Sequence, residues 1–108
     1  MAAEDALTLR QLRALAAVAR LGPMAAAGRE LGLTTPAIHS QIKGLEDLFG
    51  LPLIHRPGES AGQGATPAGA VLLEAIQKMD VALSQAGARI AALKAGHAGR
   101  VVLGVVST

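Results

Sequence analysis

Residues 24–48 read MAAAGRELGLTTPAIHSQIKGLEDL, a pattern that predicts two helices joined by a tight turn. Gly28 leaves room for a second helix to cross close by, and Gly32 can adopt the positive φ that a sharp turn between helices requires. Thr34 is suited to cap the second helix, and Pro36 suits its first turn, where a missing N–H costs nothing. The apolar side chains expected to fill the angle between the helices are Leu31, Leu33 and Ile38.

The second of these helices is predicted to have two different faces. Its apolar back consists of Ile38, Ile42 and Leu45. The opposite front, at helical spacing, consists of Thr35, His39, Ser40 and Lys43. A front of short hydrogen-bonding side chains fits the major groove of duplex DNA, so the pattern predicts a DNA-binding helix-turn-helix. The alternative is that the two helices are ordinary members of a helical bundle.

The flanking sequence extends this motif into a domain. Apolar spacing predicts an earlier helix that begins near Thr8 and ends around Gly22. After Gly50, residues 51–54 form a short apolar run that Pro52 confines to an edge strand or an extended turn, and residues 57–64 have the composition of a loop. Three helices followed by strand, loop and return strand predict a mainly α fold with a winged helix-turn-helix over residues 1–66.

A long helix is predicted over residues 67–95, opened by Thr66 as cap and Pro67 in its first turn. Apolar residues recur along it in steps of four and three, which is a heptad pattern and predicts a dimeric coiled coil. The seam residues are Leu72, Ile76, Met79, Leu83, Ala86, Ile90 and Leu93. The linker helix is therefore expected to form a homodimer; the alternative is that this stripe packs back on its own domain.

The last residues change character. Residues 96–99 contain two glycines and predict a hinge, and residues 100–108 are rich in valine and predict a β-strand. Because a lone strand is not a domain, residues 96–108 are expected to be a hinge and the first strand of a truncated effector-binding domain.

Composition excludes several classes of function. The chain has no cysteine, and its histidines at 39, 55 and 97 are far apart without companions at ligand spacing, so no metal site, cofactor or enzyme activity is expected. No signal peptide or membrane-spanning run is found, which predicts a cytoplasmic protein with no membrane partner. Residues 1–66 carry six basic and six acidic side chains. This zero balance keeps open a helical protein–protein adaptor without DNA binding.

The chain resembles the LysR-type transcriptional regulators along nearly its whole length. The residues that carry the resemblance are Leu9 to Leu12, Gly28 to Leu31, Thr34 to Ile38, Gln41, Ile42, Leu45, Glu46, Leu48, Gly50, Leu53, Arg56 and Thr66 to Gly69. Residues 102–108 are similar to the start of the effector domain in members that activate Calvin-cycle (RuBisCO) operons. The resemblance implies an antiparallel pairing of linker helices, a tetramer when full length, and a small-molecule effector bound only by the missing C-terminal domain.

The resemblance also assigns residues to double-stranded DNA. Thr34 and Ser40 are matched to phosphate oxygens, Thr35 and Pro36 to a thymine methyl group, and His39 to a base edge or a phosphate. Lys43 is expected on a phosphate, and Arg56 in the minor groove at the base of the wing. Many members carry glutamine in place of Thr35 and arginine in place of Ser40, so base readout by this chain is expected to be weaker or shifted to DNA shape.

Overall fold

The computed structural model of the chain describes residues 2–55 and 64–103, with the side-chain surroundings of all of these except residues 3 and 97–103. Its helices within this part are α1 (Ala3–Ala6), α2 (Leu9–Leu21), α3 (Met24–Leu31), α4 (Thr35–Phe49) and α5 (Pro67–Leu103). The mainly helical fold is confirmed, and α2, α3 and α4 have the predicted bounds. The single turn of α1 was not predicted.

Local chemistry accounts for where α2 begins. The N–H of Gln11 donates to the Thr8 hydroxyl at 3.1 Å, and the N–H of Thr8 donates to the Gln11 side-chain oxygen at 2.9 Å. This reciprocal pair is a capping box, which satisfies two backbone donors that would otherwise lack a partner in the first turn. Thr8 was predicted as the cap, whereas the part played by Gln11 was not.

The turn between α3 and α4 has the predicted geometry. Gly32 has a φ of 71°, in the left-handed region, and Leu33 N–H donates to the Gly28 carbonyl at 2.8 Å. A Cβ added to Gly28 would lie 2.5 Å from the Leu33 carbonyl oxygen, so glycine is needed for this close approach. Thr34 caps α4, because its hydroxyl accepts the Ala37 N–H at 3.2 Å. The glycines and the cap together fix the angle at which α4 leaves the turn.

The core is made of small and aliphatic side chains from α2, α3 and α4. Its main cluster of buried residues is Ala14, Ala17, Val18, Ala27, Ile38 and Ile42, against which Met24, Leu31, Leu33 and Ile54 pack. Leu12, Leu15, Leu45, Leu53 and Ile76 are buried as well. Three residues of the main cluster are alanines, whose small side chains let helices approach closely, so a core with almost no aromatic side chains can still be well packed.

The wing is shorter than predicted in the described residues. Ile54 and Ala65 form a single antiparallel bridge, flanked by His55 N–H to Gly64 carbonyl at 2.9 Å and Thr66 N–H to Leu53 carbonyl at 3.0 Å. Over residues 51–55 and 64–66, which the structure describes, the predicted strand and return strand are therefore reduced to this bridge. The pairing does not lengthen on this side because the chain enters α5 at Pro67, where the Thr66 carbonyl accepts the Ala70 N–H, and because the Leu53 N–H donates to the Glu46 carboxylate. Residues 56–63, which include Arg56 and most of the predicted loop, lie outside the described residues.

Thr66 joins the wing to α5. Its hydroxyl accepts the Gly69 N–H at 3.0 Å, as predicted for the cap, and donates to the Pro52 carbonyl at 2.7 Å. A Cβ on Gly69 would overlap the Leu53 carbonyl oxygen, so the first turn of α5 lies directly against the wing backbone. The predicted start of the long helix is confirmed.

The far end of α5 differs from the prediction. The helix continues to Leu103, so the predicted hinge at residues 96–99 and the strand from Arg100 are wrong as far as Leu103. A strand needs a neighbouring strand for its N–H and C=O groups, whereas a helix satisfies them internally, and a glycine costs a helix only about 1 kcal/mol. Residues 104–108 lie outside the described part.

The chain divides into two compact units, residues 1–76 and 77–108. The first unit therefore extends ten residues beyond the predicted domain end at residue 66, because the start of α5 packs with the wing and Ile76 is 4% exposed. Among the described residues, no helix has the length and apolar character that crossing a membrane requires.

Candidate nucleic-acid interface

The α4 helix has the buried back and exposed front that its sequence predicts. Ile38, Ile42 and Leu45 are at most 3% exposed. The front residues Thr35, Pro36, His39, Ser40 and Lys43 are all exposed. Because the back is held in the core, α4 cannot turn its front inward without losing these buried contacts. The two faces are confirmed, and the contacts of the front with DNA stay a prediction.

Thr34 is exposed at the start of α4, where it caps the helix and is predicted to contact a phosphate. Its hydroxyl oxygen accepts the Ala37 N–H as the helix cap. A hydroxyl has one donor hydrogen in addition to its acceptor sites, so the O–H remains able to donate to a phosphate oxygen. Capping and phosphate binding are therefore compatible at this residue.

Lys43 is in an ion pair that the sequence interpretation did not include. Its Nζ lies 3.0 Å from Oδ1 of Asp47, one turn further along α4, and the two side chains are 60% and 65% exposed. A second exposed ion pair joins Arg20 at the end of α2 to Glu30 on α3. Both cations thus have a carboxylate beside them, which agrees with the zero charge balance of residues 1–66.

A groove of about 460 Å³ lies beside the front of α4. The side chains that line it are Met24, His39, Ile42, Lys43, Glu46, Ile54 and His55. His39 and His55, which are far apart in sequence, both reach this groove, and His55 was not predicted as a site residue. Its position next to Arg56 at the base of the wing was the only sequence signal. No group of three metal-ligating side chains occurs in the described residues.

Glu46 connects α4 to the wing. Its Oε2 accepts the Leu53 N–H at 2.8 Å and the Ile54 N–H at 3.4 Å. Glu46 is half-buried, so its carboxylate is not simply a solvated charge on the helix surface, as its sequence context alone would suggest. The carboxylate accepts the Leu53 N–H in place of a carbonyl of the return strand, and it holds the wing base next to the groove.

We predict that Glu46→Ala lowers the free energy of unfolding by about 1–3 kcal/mol, because two backbone donors lose their acceptor. Glu46→Gln keeps a side-chain oxygen of nearly the same position and is expected to lose less. Chemical denaturation of both variants measures the difference. Equal stability of Glu46→Ala and the parent would show that water replaces the carboxylate without cost.

The seam residues of α5 differ in exposure. Ile76 is 4% exposed within the first unit. For this residue the structure agrees with the alternative, in which the stripe packs on its own domain. Ile76 therefore has almost no surface left for a partner helix. Leu72 and Met79 are half-buried. The rest of the seam is exposed, namely Leu83, Ala86, Ile90 and Leu93.

Comparison with known proteins identifies the relatives of this chain. The family described as bacterial regulatory helix-turn-helix protein, lysR family, matches residues 9–70. The HTH-type transcriptional regulator CbbR of Cereibacter sphaeroides is 53% identical over 104 residues, which cover 96% of this chain and 34% of the relative. The regulator of the same name from Xanthobacter flavus is 45% identical over 101 residues, 94% of this chain and 30% of that one. The chain spans about a third of the length of these relatives.

Two solved structures with a similar fold contain DNA. The chain in the crystal structure of the CbnR_DBD–DNA complex has a TM-score of 0.69 and 33% identity, over 82% of this chain and 99% of that chain. The chain in the BenM_DBD/catB site 1 DNA complex has a TM-score of 0.75 and 26% identity, over 84% of this chain and 96% of that chain. The similarity in each case includes nearly all of the solved DNA-binding chain.

Proposed function

Because the chain belongs to the LysR family of bacterial regulatory helix-turn-helix proteins, we propose that it is the part of a transcriptional regulator that binds duplex DNA. The observation that carries this proposal is the front of α4, which is exposed and polar while the back of the same helix is fixed in the core. The solved neighbours, which were crystallised with DNA, support it. Binding of DNA requires no catalytic group, so we propose no enzyme activity for this chain.

The short side chains on the front of α4 define what kind of readout we propose. Thr35 and Pro36 offer a methyl group and a ring to a thymine methyl, while Ser40 and Lys43 suit phosphate oxygens. None of them forms the bidentate contacts with guanine or adenine that arginine and glutamine make. We therefore propose that base readout is modest and that Arg56 and DNA shape contribute to the choice of site.

We also propose that two copies of the chain act together through α5. The exposed half of the seam supports this, since apolar side chains at heptad spacing are an association surface. A symmetric dimer would bind an interrupted palindrome, with half-sites separated by a multiple of about 10.5 base pairs. For the full-length protein we further propose a tetramer, a small-molecule effector, a cytoplasmic location and control of carbon-fixation operons.

The alternative of a protein–protein adaptor rests on the zero charge balance of residues 1–66. It predicts no attraction to phosphates, whereas the DNA-binding function predicts an affinity that falls as salt rises, because phosphate contacts release counterions. Fluorescence anisotropy with a labelled duplex distinguishes the two. We predict a log–log salt dependence with a slope of about −0.9 for each phosphate contacted. Absence of binding to every duplex at low salt would favour the adaptor.

A further inference from the structure

One carboxylate lies on the surface of α4 that is proposed to meet DNA. The exposed side chains of α4 are Thr35, Pro36, His39, Ser40, Lys43 and Asp47. At roughly 100° per residue, Asp47 is only about 40° from Lys43 and about 20° from Pro36 and Ser40 around the helix axis. Asp47 therefore shares the face of the proposed DNA contacts.

The neighbouring Glu46 differs from Asp47 in what its carboxylate does. Glu46 is half-buried and accepts two backbone N–H groups of the wing, so its charge is used inside the domain. Asp47 is 65% exposed, and its Oδ1 lies 3.0 Å from Nζ of Lys43. An exposed ion pair four residues apart on a helix contributes little to stability, so a structural role does not explain it.

The pair changes what Lys43 can offer to a phosphate. An ammonium has three donors, so Lys43 can contact Asp47 and a phosphate together. Two anions would then share one cation, and the net charge that the pair presents to DNA is zero. Full attraction to the phosphate requires that Lys43 leave Asp47 and extend along the groove it lines with His39 and His55.

We propose that Asp47 competes with the DNA backbone for Lys43 and thereby lowers the affinity of the domain for DNA of any sequence. This inference rests on the proposed DNA-binding function. Phosphate contacts carry no direct sequence information, so weakening them leaves a larger share of the binding free energy to the base contacts of α4. Asp47 in this sense limits the attraction that is independent of sequence, and the ratio of affinities for two sequences is expected to stay the same.

The test measures binding of Asp47→Asn to two duplexes, one of arbitrary sequence and one selected from a random pool by the parent chain. We expect binding of both to become about two- to fivefold tighter at low salt, the range set by exposed ion pairs. The salt slope should steepen by up to about 0.9, since one more phosphate is neutralised. The gain should shrink at high salt, which screens exposed charges. Unchanged or weaker binding of Asp47→Asn would overturn the inference.

Three further variants make the result specific. Asp47→Glu keeps the carboxylate and is expected to bind like the parent. Glu74→Gln removes the same charge from an exposed position on α5 and should not reproduce the gain. The gain should also vanish when Asp47→Asn is made in a Lys43→Met background. If it persists there, Asp47 acts through its own charge and competition for Lys43 is wrong.

The outcomes separate this inference from the proposed function. A parent chain that binds duplex DNA, with no change in Asp47→Asn, overturns the role of Asp47 alone. A parent chain that binds neither duplex at low salt overturns both. Thermal unfolding of Asp47→Asn should stay close to that of the parent, because both members of the pair are exposed.

Discussion

Replacing Gly28 with alanine is expected to lower the free energy of unfolding by about 3 kcal/mol or more, at or above the upper range for an overpacked core. The added Cβ would lie 2.5 Å from the Leu33 carbonyl oxygen. That oxygen belongs to the backbone of the turn and cannot move without changing the angle at which α4 leaves it. The same change should therefore weaken DNA binding as well. Chemical denaturation followed by circular dichroism measures the first effect.

Gly44→Ala is the matched control for this prediction. Gly44 is also a helical glycine of the same unit, but a Cβ there would meet only the end of the Gln11 side chain, at 3.0 Å. The end of that side chain needs to give by only a few tenths of an ångström, which its capping bond to Thr8 can accommodate, and alanine favours a helix over glycine by about 1 kcal/mol. We expect Gly44→Ala to be close to neutral or slightly stabilising. Equal stability of Gly28→Ala and Gly44→Ala would contradict the close approach of α3 and the turn.

The bounds of α2, α3 and α4 could be predicted because local chemistry determines them. Thr8 and Thr34 cap the helices that follow, and Gly32 ends α3 with a positive φ. Each signal acts within four residues along the chain, so no knowledge of the tertiary fold is needed. The spacing of apolar residues on α4 likewise separated its buried back from its exposed front.

Contacts between distant residues were harder to predict. Glu46 reads as a solvated charge in the sequence, and only the extended path of residues 51–54 brings its carboxylate to the backbone N–H groups of Leu53 and Ile54. Ile76 fits the heptad pattern equally well as a dimer contact or as a core residue, because periodicity does not say which neighbour covers a side chain. The helix break expected at Gly96 is wrong because a glycine weakens a helix without necessarily ending it.

The net charge of residues 1–66 does not by itself favour the proposed function. The domain is neutral, yet its proposed partner is a polyanion, and Arg20 and Lys43 both lie beside carboxylates. A neutral domain can bind DNA when its shape brings a few cations to phosphates while its acidic groups are directed elsewhere. Glu46 is directed inward in this way, and Asp47 is not. The balance makes affinity sensitive to single charges on α4.

Leu83→Asp is expected to weaken the proposed homodimer by about 10- to 200-fold or more. Full burial of one leucine stabilises by roughly 1.5–3 kcal/mol, about half of Leu83 remains to be buried by a partner, a symmetric dimer loses two such contacts, and each 1.4 kcal/mol corresponds to about a factor of ten. Leu83 is chosen in preference to Ile76 because it is 53% exposed in the single chain, whereas Ile76 is 4% exposed and its replacement would unfold the first unit. Sedimentation equilibrium over a range of concentrations measures the dimer dissociation constant.

Val81→Asp is the control that makes this measurement specific to the seam. Val81 is also 53% exposed, so aspartate there changes charge and hydrophobicity to a similar degree. It lies about 200° from Leu83 around α5 and hence on the opposite side of the helix from the seam. We expect Val81→Asp to dimerise like the parent. If both variants dissociate equally, a negative charge anywhere on α5 disrupts the dimer and the heptad seam is not the interface. If both stay dimeric, the two copies contact each other through another surface. Loss of the dimer in Leu83→Asp but not in Val81→Asp is the outcome that agrees with two copies of α5 joined along the predicted seam.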